Sequence, residues 1–198
     1  MAKPILFILT FLLVSCFSSR KVTNYDNYAY GRADNISGKA NSQKPPEKVI
    51  QQGDAFNMRN IVNAAILLGL DIDYGDDIPL MVEAASWLGT PYKAAGNDRR
   101  GTDCSGLSSA IYRNVYGIPL DRTSGGQYKK NCHKVSKHSL RQGDLVFFAI
   151  NSSGTISHVG VYLKNNKFIH ASSTRGVVVN DLDEDYYRKY FYAAGRPK

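Results

Sequence analysis

The chain has 198 residues and carries 25 lysines and arginines against 17 aspartates and glutamates, a net charge of +8 at neutral pH. Hydrophobic residues make up 43% of the sequence and charged residues 21%. This composition is typical of a folded globular protein and excludes a chain that is disordered throughout. The length accommodates one domain with additional terminal segments, and the excess of positive charge suits a polyanionic partner.

The N-terminus has the pattern of an export signal. A basic residue, Lys3, precedes a run of apolar residues from Ile5 to Val14. This run is shorter than the roughly 20 residues that a membrane-spanning helix needs. We therefore predict a signal peptide over residues 1–15.

The end of this segment, Leu13-Val14-Ser15-Cys16, resembles the lipobox of bacterial lipoproteins. The resemblance implies that Cys16 carries lipid and anchors the mature protein to a membrane outside the cytoplasm, because several acyl chains give stable attachment. An unmodified cysteine is the alternative. Phe17 follows in place of an aspartate, which favours the outer membrane if the host has two membranes.

Residues 16–48 are rich in Asn, Ser, Lys, Gly and Tyr, which predicts a flexible tether. Residues 49–79 are predicted to form an N-terminal helical segment. In it, apolar residues recur at helical spacing from Val49 to Leu68, and Gly69 is suited to end the helix. This helix either packs on the domain that follows, which we favour, or forms one wall of a substrate cleft.

The segment from Asp71 to Pro79 is an acidic turn that lacks the ligand spacing and the distal glutamate of an EF-hand loop, so it predicts no metal site. Next come a predicted helix from Met81 to Leu88, the turn Gly89-Thr90-Pro91-Tyr92, and a loop from Lys93 to Gly101.

A helix is predicted to begin at Cys104. Apolar residues then recur every three or four positions, and the run ends at Gly117. Asp103 or Thr102 can serve as the N-cap. The periodic residues are Leu107, Ile111 and Val115.

The C-terminal part of the chain predicts short strands, each apolar or aromatic and separated from the next by Gly, Asn or Ser. The predicted strands are Asp144 to Ile150, His158 to Leu163, Phe168 to Ala171, Val177 to Val179 and Phe191 to Ala194. Asn165-Asn166 predicts a tight hairpin turn. Helices followed by an antiparallel meander indicate the α+β fold class.

Cys104, His158 and His170 have the residue types that a cysteine hydrolase needs. A thiol at a helix N-terminus, near an imidazolium, is expected to have a lowered pKa and to act as a thiolate nucleophile. The N–H groups of the first helical turn are suited to hold the oxyanion of a tetrahedral intermediate.

Other roles for these residues are also open. Cys104 lies on the apolar stripe of its helix, where a free cysteine is often a core residue, and each histidine can be a core residue of its strand. Zinc binding by the three side chains is disfavoured, because structural zinc sites use closely spaced ligand pairs. His133 and His138 lie in a lysine-rich loop and are expected to be solvated.

The number of cysteines agrees with a catalytic thiol. Lipid on Cys16 leaves Cys104 and Cys132. A disulfide between these two is conceivable in an exported protein, but it would disable the nucleophile. We therefore expect Cys132 to be a free or buried thiol.

From about Leu80 to Arg196 the sequence resembles the NlpC/P60 family of bacterial cell-wall cysteine peptidases. The resemblance rests on Gly89-Thr90-Pro91-Tyr92, Asp103-Cys104-Ser105-Gly106, Leu120-Asp121-Arg122-Thr123-Ser124, Arg141-Gln142-Gly143-Asp144-Leu145-Val146-Phe147-Phe148, Ser157-His158-Val159-Gly160-Val161-Tyr162 and Phe168-Ile169-His170-Ala171-Ser172. It implies a papain-like catalytic domain over residues 80–198. With the lipobox, the chain is most similar to the small lipid-anchored members.

The resemblance also implies roles for individual residues. Cys104 would be the nucleophile, His158 the general base, and His170 the residue that orients the imidazole of His158. The residues expected on the substrate side of the cleft are Tyr92, Asp103, Ser105, Arg122 and Ser124. For Asp103 and Arg122, a local salt bridge or helix cap is an equally good interpretation.

The function expected from this resemblance is hydrolysis of amide bonds in peptidoglycan stem peptides or crosslinks. We expect no cofactor, no metal, a monomer, and no nucleic-acid partner, since no motif for binding nucleic acid is recognised. The alternatives are a papain-like acyltransferase or amidase acting on another envelope substrate, and a non-catalytic lipoprotein that binds the cell wall. A glycan-cleaving enzyme would need a pair of carboxylates instead.

Overall fold

The computed structural model describes residues 52–198, with side chains described from Asn57 onward. The predicted signal peptide, the lipidated Cys16 and the tether over 16–48 lie outside the described residues. Within residues 52–198, no helix has both the length and the apolar character needed to cross a membrane.

Helices come first in this part of the chain, and most strands follow. The helices are α1 Gln52–Leu68, α2 Ile78–Trp87, α3 Cys104–Tyr116, α4 Ser124–Gly126, which continues as a π turn over Gln127–Asn131, and α5 Asp185–Tyr190. The strands are β1 Asn97–Asp98, β2 Gly101–Thr102, β3 Cys132–Val135, β4 Leu145–Phe148, β5 His158–Tyr162, β6 Lys167–Ser172, β7 Gly176–Asp181 and β8 Phe191–Pro197.

The helix that begins at Cys104 starts and stops where the sequence predicts. The carboxylate of Asp103 accepts a hydrogen bond from the backbone N–H of Gly106 at 2.7 Å, so Asp103 is the N-cap. Gly117 ends the helix with a φ of 69°, in the left-handed region that glycine adopts without strain. Both ends of α3 are therefore set by local residues.

The large sheet has six strands in the order β3-β8-β4-β5-β6-β7, and all of its strand pairs are antiparallel. The predicted meander is correct for β4 to β7, and Asn165 and Asn166 form its tight turn with φ values of 51° and 60°. It is wrong for the last strand, because β8 returns to lie between β3 and β4.

Two features explain the position of β8. Arg196 forms an ion pair with the buried carboxylate of Asp144, with its Nε 2.8 Å from Oδ1. The strand also carries small residues, and a Cβ added at Gly195 would lie 2.7 Å from the Cβ of Cys132. A bulkier strand could not fit at this place in the sheet.

Two further stretches contain strands where loops are predicted. The predicted loop from Lys93 to Gly101 contains part of the β1–β2 hairpin, in which the Asp98 carboxylate accepts from the N–H of Arg100 at 2.8 Å. The predicted lysine-rich loop contains β3, although His133 on that strand is exposed as expected. These three strands have four residues or fewer, too short to give a periodic hydrophobic pattern.

Apolar side chains cover both faces of the sheet. One face packs against α2 and α3 through residues that include Leu107, Ile111 and Phe147, which are at most 1% exposed. The other face packs Val146, Phe148, Phe168 and Leu182 against Tyr187 of α5. The sheet is therefore buried on both sides, which holds its strands in a fixed register.

Helix α1 packs against α2, burying Ala64 and Leu68. The other face of α1 is exposed at Met58, Val62 and Ile66. None of the described residues of α1 lines the cavity that contains Cys104.

Gly106 has no room for a side chain. A Cβ at this position would overlap the carbonyl oxygen of Gly96 and lie 3.0 Å from Oγ1 of Thr102. We predict that Gly106→Ala lowers the free energy of unfolding by about 1–3 kcal/mol, since the β1–β2 hairpin must move off the start of α3. Urea unfolding measures this.

The matched control is Gly125→Ala, because a Cβ at Gly125 meets nothing within 4 Å. This substitution should leave the stability unchanged or raise it slightly. Equal losses in the two variants would contradict the close approach at Gly106.

Candidate active site

Cys104 is the first residue of α3, so the start of that helix surrounds its thiol with backbone donors. The backbone N–H groups of Val159, Ser105 and Cys104 itself lie near enough to the sulfur to lower the pKa of the thiol. Two of them belong to the first turn of α3, where N–H groups lack partners within the helix. The third comes from β5.

The pairing of the strands explains why the N–H of Val159 is available. Tyr162 donates to the carbonyl of Asp144 at 2.8 Å, and in an antiparallel ladder every second residue bonds to the same neighbour. The N–H of Val159 therefore points away from β4. On that other side, the β5–β6 ladder pairs only Val161 and Tyr162 with β6, so it ends before Val159.

His158 and His170 meet where β5 and β6 separate. Nε2 of His158 lies 2.9 Å from Nδ1 of His170, and the two rings are nearly perpendicular. His158 is the first residue of β5, whereas His170 lies inside β6 and is 2% exposed. The sheet thus brings together the two histidines that the sequence analysis singled out.

A polar network that the sequence analysis missed continues beyond His170. Nε2 of His170 lies 3.0 Å from Oδ1 of Asn180 and 3.1 Å from the hydroxyl of Tyr187. Asn180 also accepts from Nη2 of Arg175 at 2.7 Å and donates to the Glu184 carboxylate at 2.8 and 2.9 Å. The hydrogen-bonded chain therefore runs from His158 through His170 to Asn180.

The position of Asn180 could have been predicted from the pairing of two strands. His170 pairs with Val178 and Phe168 pairs with Asn180, so His170 and Asn180 are diagonal neighbours across two strands. The predicted strand over residues 177–179 stops one residue short of Asn180. A predicted strand that included Asn180 and was paired in the correct register would have placed the Asn180 amide beside the imidazole of His170.

A cavity of about 660 Å³ opens over these groups. Cys104, His158 and His170 all line it, together with Tyr92, Arg175 and Glu184. The catalytic candidates therefore share one solvent-accessible cleft, in which a substrate can contact the thiol and the imidazole together.

The other residues predicted for substrate binding take different positions. Tyr92 lines the cavity and is 39% exposed, whereas Asp103, Ser105, Arg122 and Ser124 lie outside its lining. Ser105 and Ser124 are buried, and Ser124 begins the short helix α4.

Asp103 and Arg122 form a local structural unit. The guanidinium of Arg122 donates to both carboxylate oxygens of Asp103, at 2.9 and 2.8 Å, and to the hydroxyl of Ser105 at 2.9 Å. The same carboxylate caps Gly106 and accepts from the N–H of Ala95. Burial raises the pKa of Asp103, but the hydrogen bonds from Arg122 and Gly106 outweigh this effect and hold that pKa below its usual value.

The electrostatics of the thiol differ from the expectation. Burial raises the pKa of Cys104, and the negative charge of Asp103 adds to this effect, while the N–H groups directed at the sulfur oppose it. The predicted lowering of the thiol pKa is therefore wrong for the unliganded protein. The helix start is present, but burial of the sulfur has the larger effect.

Burial also acts on the two imidazoles. It lowers the pKa of His158 to about 3, with a further contribution from His170, and it lowers the pKa of His170 to about 4. A raised thiol pKa and a lowered imidazole pKa both favour the uncharged pair of Cys104 and His158 at neutral pH. In this state His158 has a free lone pair to accept a proton.

Within residues 52–198, no group of three or more His, Cys, Asp or Glu side chains is arranged to hold a metal ion. Nε2 of His158 and both ring nitrogens of His170 already lie at hydrogen-bonding distance from partners. Cys104 and Cys132 are both free thiols in the structure.

We predict that Cys104 reacts slowly with iodoacetamide at neutral pH and faster as the pH rises, because the thiolate is the reacting form and the thiol pKa is raised. Mass spectrometry of the peptide that contains Cys104, over a series of pH values, measures the rate.

Cys132 provides the internal control. Burial raises its pKa to about 12, so it should react more slowly than Cys104 at every pH. Rapid alkylation of Cys104 that does not change between mildly acidic and neutral pH would show a preformed thiolate and contradict the neutral pair.

The chain is similar to known proteins of one family. The model of the NlpC/P60 family matches residues 89–196. Murein DD-endopeptidase MepS/Murein LD-carboxypeptidase from Escherichia coli (strain K12) is 38% identical over 117 residues, which are 59% of this chain and 61% of that protein. The chain thus spans less than two thirds of the length of this relative.

Solved structures give the same result for the fold. An NlpC/P60 family protein from Bacillus cereus is 34% identical with a TM-score of 0.56, over 64% of this chain and 42% of that chain. RipD from Mycobacterium tuberculosis, a non-catalytic NlpC/P60 domain protein adapted to peptidoglycan binding, is 25% identical with a TM-score of 0.50, over 61% of this chain and 95% of that chain. The predicted α+β fold class is confirmed.

Proposed function

Because the chain belongs to the NlpC/P60 family, we propose that it is a cysteine peptidase that hydrolyses amide bonds in peptidoglycan stem peptides or crosslinks. The observation that carries this proposal is the convergence of Cys104, His158 and His170 on one cavity, with the two imidazoles joined by a 2.9 Å hydrogen bond. A nucleophile, a base and a group that orients the base are the parts that this chemistry requires.

In the proposed mechanism, the sulfur of Cys104 attacks the carbonyl carbon of the amide as its proton moves to Nδ1 of His158, the ring nitrogen that does not face His170. N–H groups at the start of α3 stabilise the oxyanion. The imidazolium then protonates the leaving amine, and the amide C–N bond breaks to leave a thioester on Cys104. Water, deprotonated by His158, hydrolyses the thioester and restores the thiol.

The neutral resting pair suits this mechanism. An uncharged imidazole is ready to accept the thiol proton, and charge develops only as the amide reacts. Backbone N–H groups near the sulfur favour its charged form, so they support the thiolate as charge develops.

A non-catalytic role in binding the cell wall is the main alternative, and RipD shows that the fold can serve it. The present chain offers a thiol and two hydrogen-bonded imidazoles in an open cleft. A protein that only binds has no need of this arrangement. An acyltransferase or an amidase acting on another envelope substrate would use the same three residues and is distinguished by its products.

The direct test is digestion of purified peptidoglycan, with the released fragments identified by mass. We predict that Cys104→Ala and His158→Ala each lower the rate of cleavage by roughly 1000-fold or more, because each removes a reacting group. His138→Ala should have no effect, since that histidine is exposed on the surface. Undiminished cleavage by Cys104→Ala would refute the mechanism.

The fragments also identify the bond that is cut. The name of MepS gives two candidates, cleavage of a D,D crosslink and removal of a C-terminal residue across an L,D bond. Conversion of crosslinked dimers into monomers would assign the first to this chain. Shortened stem peptides would assign cleavage within the stem.

Of the residues predicted to bind substrate, Tyr92 and Arg122 are the proposed contacts. Asp103, Ser105 and Ser124 are less exposed and lie outside the cavity lining. Tyr92 is the member that lines the cavity, and its ring is half-exposed beside Cys104. The unit of Asp103, Ser105 and Arg122 supports the start of α3, and Arg122 keeps 43% of its side chain exposed for a substrate carboxylate.

We predict that Tyr92→Ala raises the KM for a stem peptide about 10-fold while leaving kcat within a few-fold of the wild type, because the ring contacts substrate without taking part in proton transfer. Steady-state kinetics separate the two constants. Tyr74→Ala is the matched control, since Tyr74 is 86% exposed and lies outside the lining of the cavity. A loss confined to kcat would assign Tyr92 to the chemical step instead.

The proposed location is the cell envelope, with the mature protein held by lipid on Cys16 and acting as a monomer. Its support is the lipobox-like sequence, the export signal before it, and membership of a family whose relatives include murein endopeptidases. The outer membrane is the proposed site of the anchor in a host with two membranes. The proposed domain boundaries remain 1–15, 16–48, 49–79 and 80–198, although the last of them falls within α2, Ile78–Trp87.

A further inference from the structure

A pair of hydrogen-bonded neutral histidines can exist in two arrangements. Each ring has one nitrogen that donates and one that accepts, so the N–H groups of His158 and His170 can both be on Nε2 or both be on Nδ1. The 2.9 Å bond between the rings fits both arrangements. Only the first leaves Nδ1 of His158 without a proton and able to accept one from Cys104.

The group at the far end of the pair decides between the two arrangements. Nε2 of His170 lies 3.0 Å from the side-chain amide of Asn180, which is 7% exposed. If the amide presents its oxygen, Nε2 must carry the proton. If it presents its NH₂ group, Nε2 of His170 must be unprotonated. Both histidines would then carry their proton on Nδ1, and His158 could not accept the proton of Cys104.

Two charged side chains hold the amide of Asn180 in one orientation. Glu184 lies 2.8 and 2.9 Å from Nδ2, and a carboxylate only accepts hydrogen bonds. Arg175 lies 2.7 Å from Oδ1, and a guanidinium only donates. Each partner requires the same orientation, so a flip of the amide would break both interactions at once.

We propose that Asn180 is a positioning residue that fixes the reactive tautomer of His158 through His170, and that Arg175 and Glu184 act through it by locking its amide. The proposal rests on the proposed function for its effect on catalysis, but its structural content is independent of the substrate. Oδ1 of Asn180 accepts from Nε2–H of His170, whose Nδ1 accepts from Nε2–H of His158. Nδ1 of His158 is then unprotonated and can accept a proton from Cys104.

Tyr187 does not perform this role. Its hydroxyl lies 3.1 Å from Nε2 of His170 and 3.3 Å from Oδ1 of Asn180. A hydroxyl both donates and accepts, so it fits either arrangement of the histidines. Its ring packs edge-on against His170 and fills the space beside the imidazole.

The opposite charges of the two locking residues limit their effect on the proton affinity of the histidines. Arg175 lowers the pKa of His170, and Glu184 raises it. Together they orient the amide while their charges partly cancel at the imidazole. A single charged residue would have oriented Asn180 but also shifted the titration of the pair.

The test is nitrogen-15 NMR of the histidine side chains in the full-length protein at neutral pH, combined with steady-state kinetics. In the wild type, both His158 and His170 should carry their proton on Nε2. In Asn180→Leu, which has similar size but no acceptor, part of the His158 population should move its proton to Nδ1. We expect kcat to fall about 10- to 100-fold with KM within a few-fold of the wild type.

Two further variants separate positioning from folding. In the double variant Asn180→Asp with Glu184→Gln, the carboxylate at position 180 still accepts from Nε2–H of His170, and the amide at position 184 donates to that carboxylate. This variant should therefore show the wild-type tautomer and most of the kcat that Asn180→Leu loses. Glu184→Gln alone replaces an exposed side chain and should lower kcat by a few-fold, with a detectable Nδ1–H form of His158. Asp185→Asn, on the next residue of the same surface, should change neither readout.

A wild-type His158 with its proton on Nδ1 would overturn the proposal, as would an Asn180→Leu variant that keeps both the wild-type tautomer and the wild-type kcat. The NMR readout needs no substrate. If the wild type proves inactive on peptidoglycan but shows both histidines protonated on Nε2, with the shift in Asn180→Leu, the proposed function fails while the positioning role stands.

Discussion

The hydrogen bond between His158 and His170 is the interaction on which the site depends. It requires two strands that run side by side and then separate, so that one imidazole sits at a strand start and the other inside its neighbour. The ladder between β5 and β6 ends at Val161, before His158 is reached. The same separation leaves the N–H of Val159 unpaired with β6, and this N–H lowers the pKa of the Cys104 thiol. One irregularity in the sheet thus positions both the base and a donor to the nucleophile.

The burial that holds these groups in place also sets their charge. A thiol and an imidazole that are removed from water favour their uncharged forms, because the charged forms lose solvation. The reactive state is then created during the reaction, when the proton moves and nearby N–H groups meet the new charge. The Asp103–Arg122 pair lies beside this region: Arg122 holds the Asp103 carboxylate in place, and the negative charge of that carboxylate adds to the raised pKa of Cys104.

The sequence was most informative where local rules apply. The start of α3 at Cys104 follows from the capping residue Asp103 and the apolar spacing, and the turn at Asn165-Asn166 follows from residues that tolerate a positive φ. The family motifs predicted the fold class and brought Cys104, His158 and His170 into one hypothesis. Predicting these features requires only residues that are adjacent in the chain or a known family motif.

The sequence was least informative where partners come from distant segments. The place of β8 between β3 and β4 brings Arg196 to Asp144, and no local pattern indicates that ion pair. The role of Asn180 depends on strand register, and the raised pKa of Cys104 depends on how the sheet covers the helix start. Local spacing indicated a helix N-terminus at the thiol, but it could not give the degree of burial, which has the larger effect.

The most direct test of the central claim measures cleavage of a stem peptide against the fraction of Cys104 that has been alkylated, with the modified site identified by mass spectrometry. The account predicts that activity falls in proportion to the loss of free Cys104 and reaches zero when the thiol is fully blocked. Cleavage that persists in protein with every Cys104 thiol blocked would contradict it.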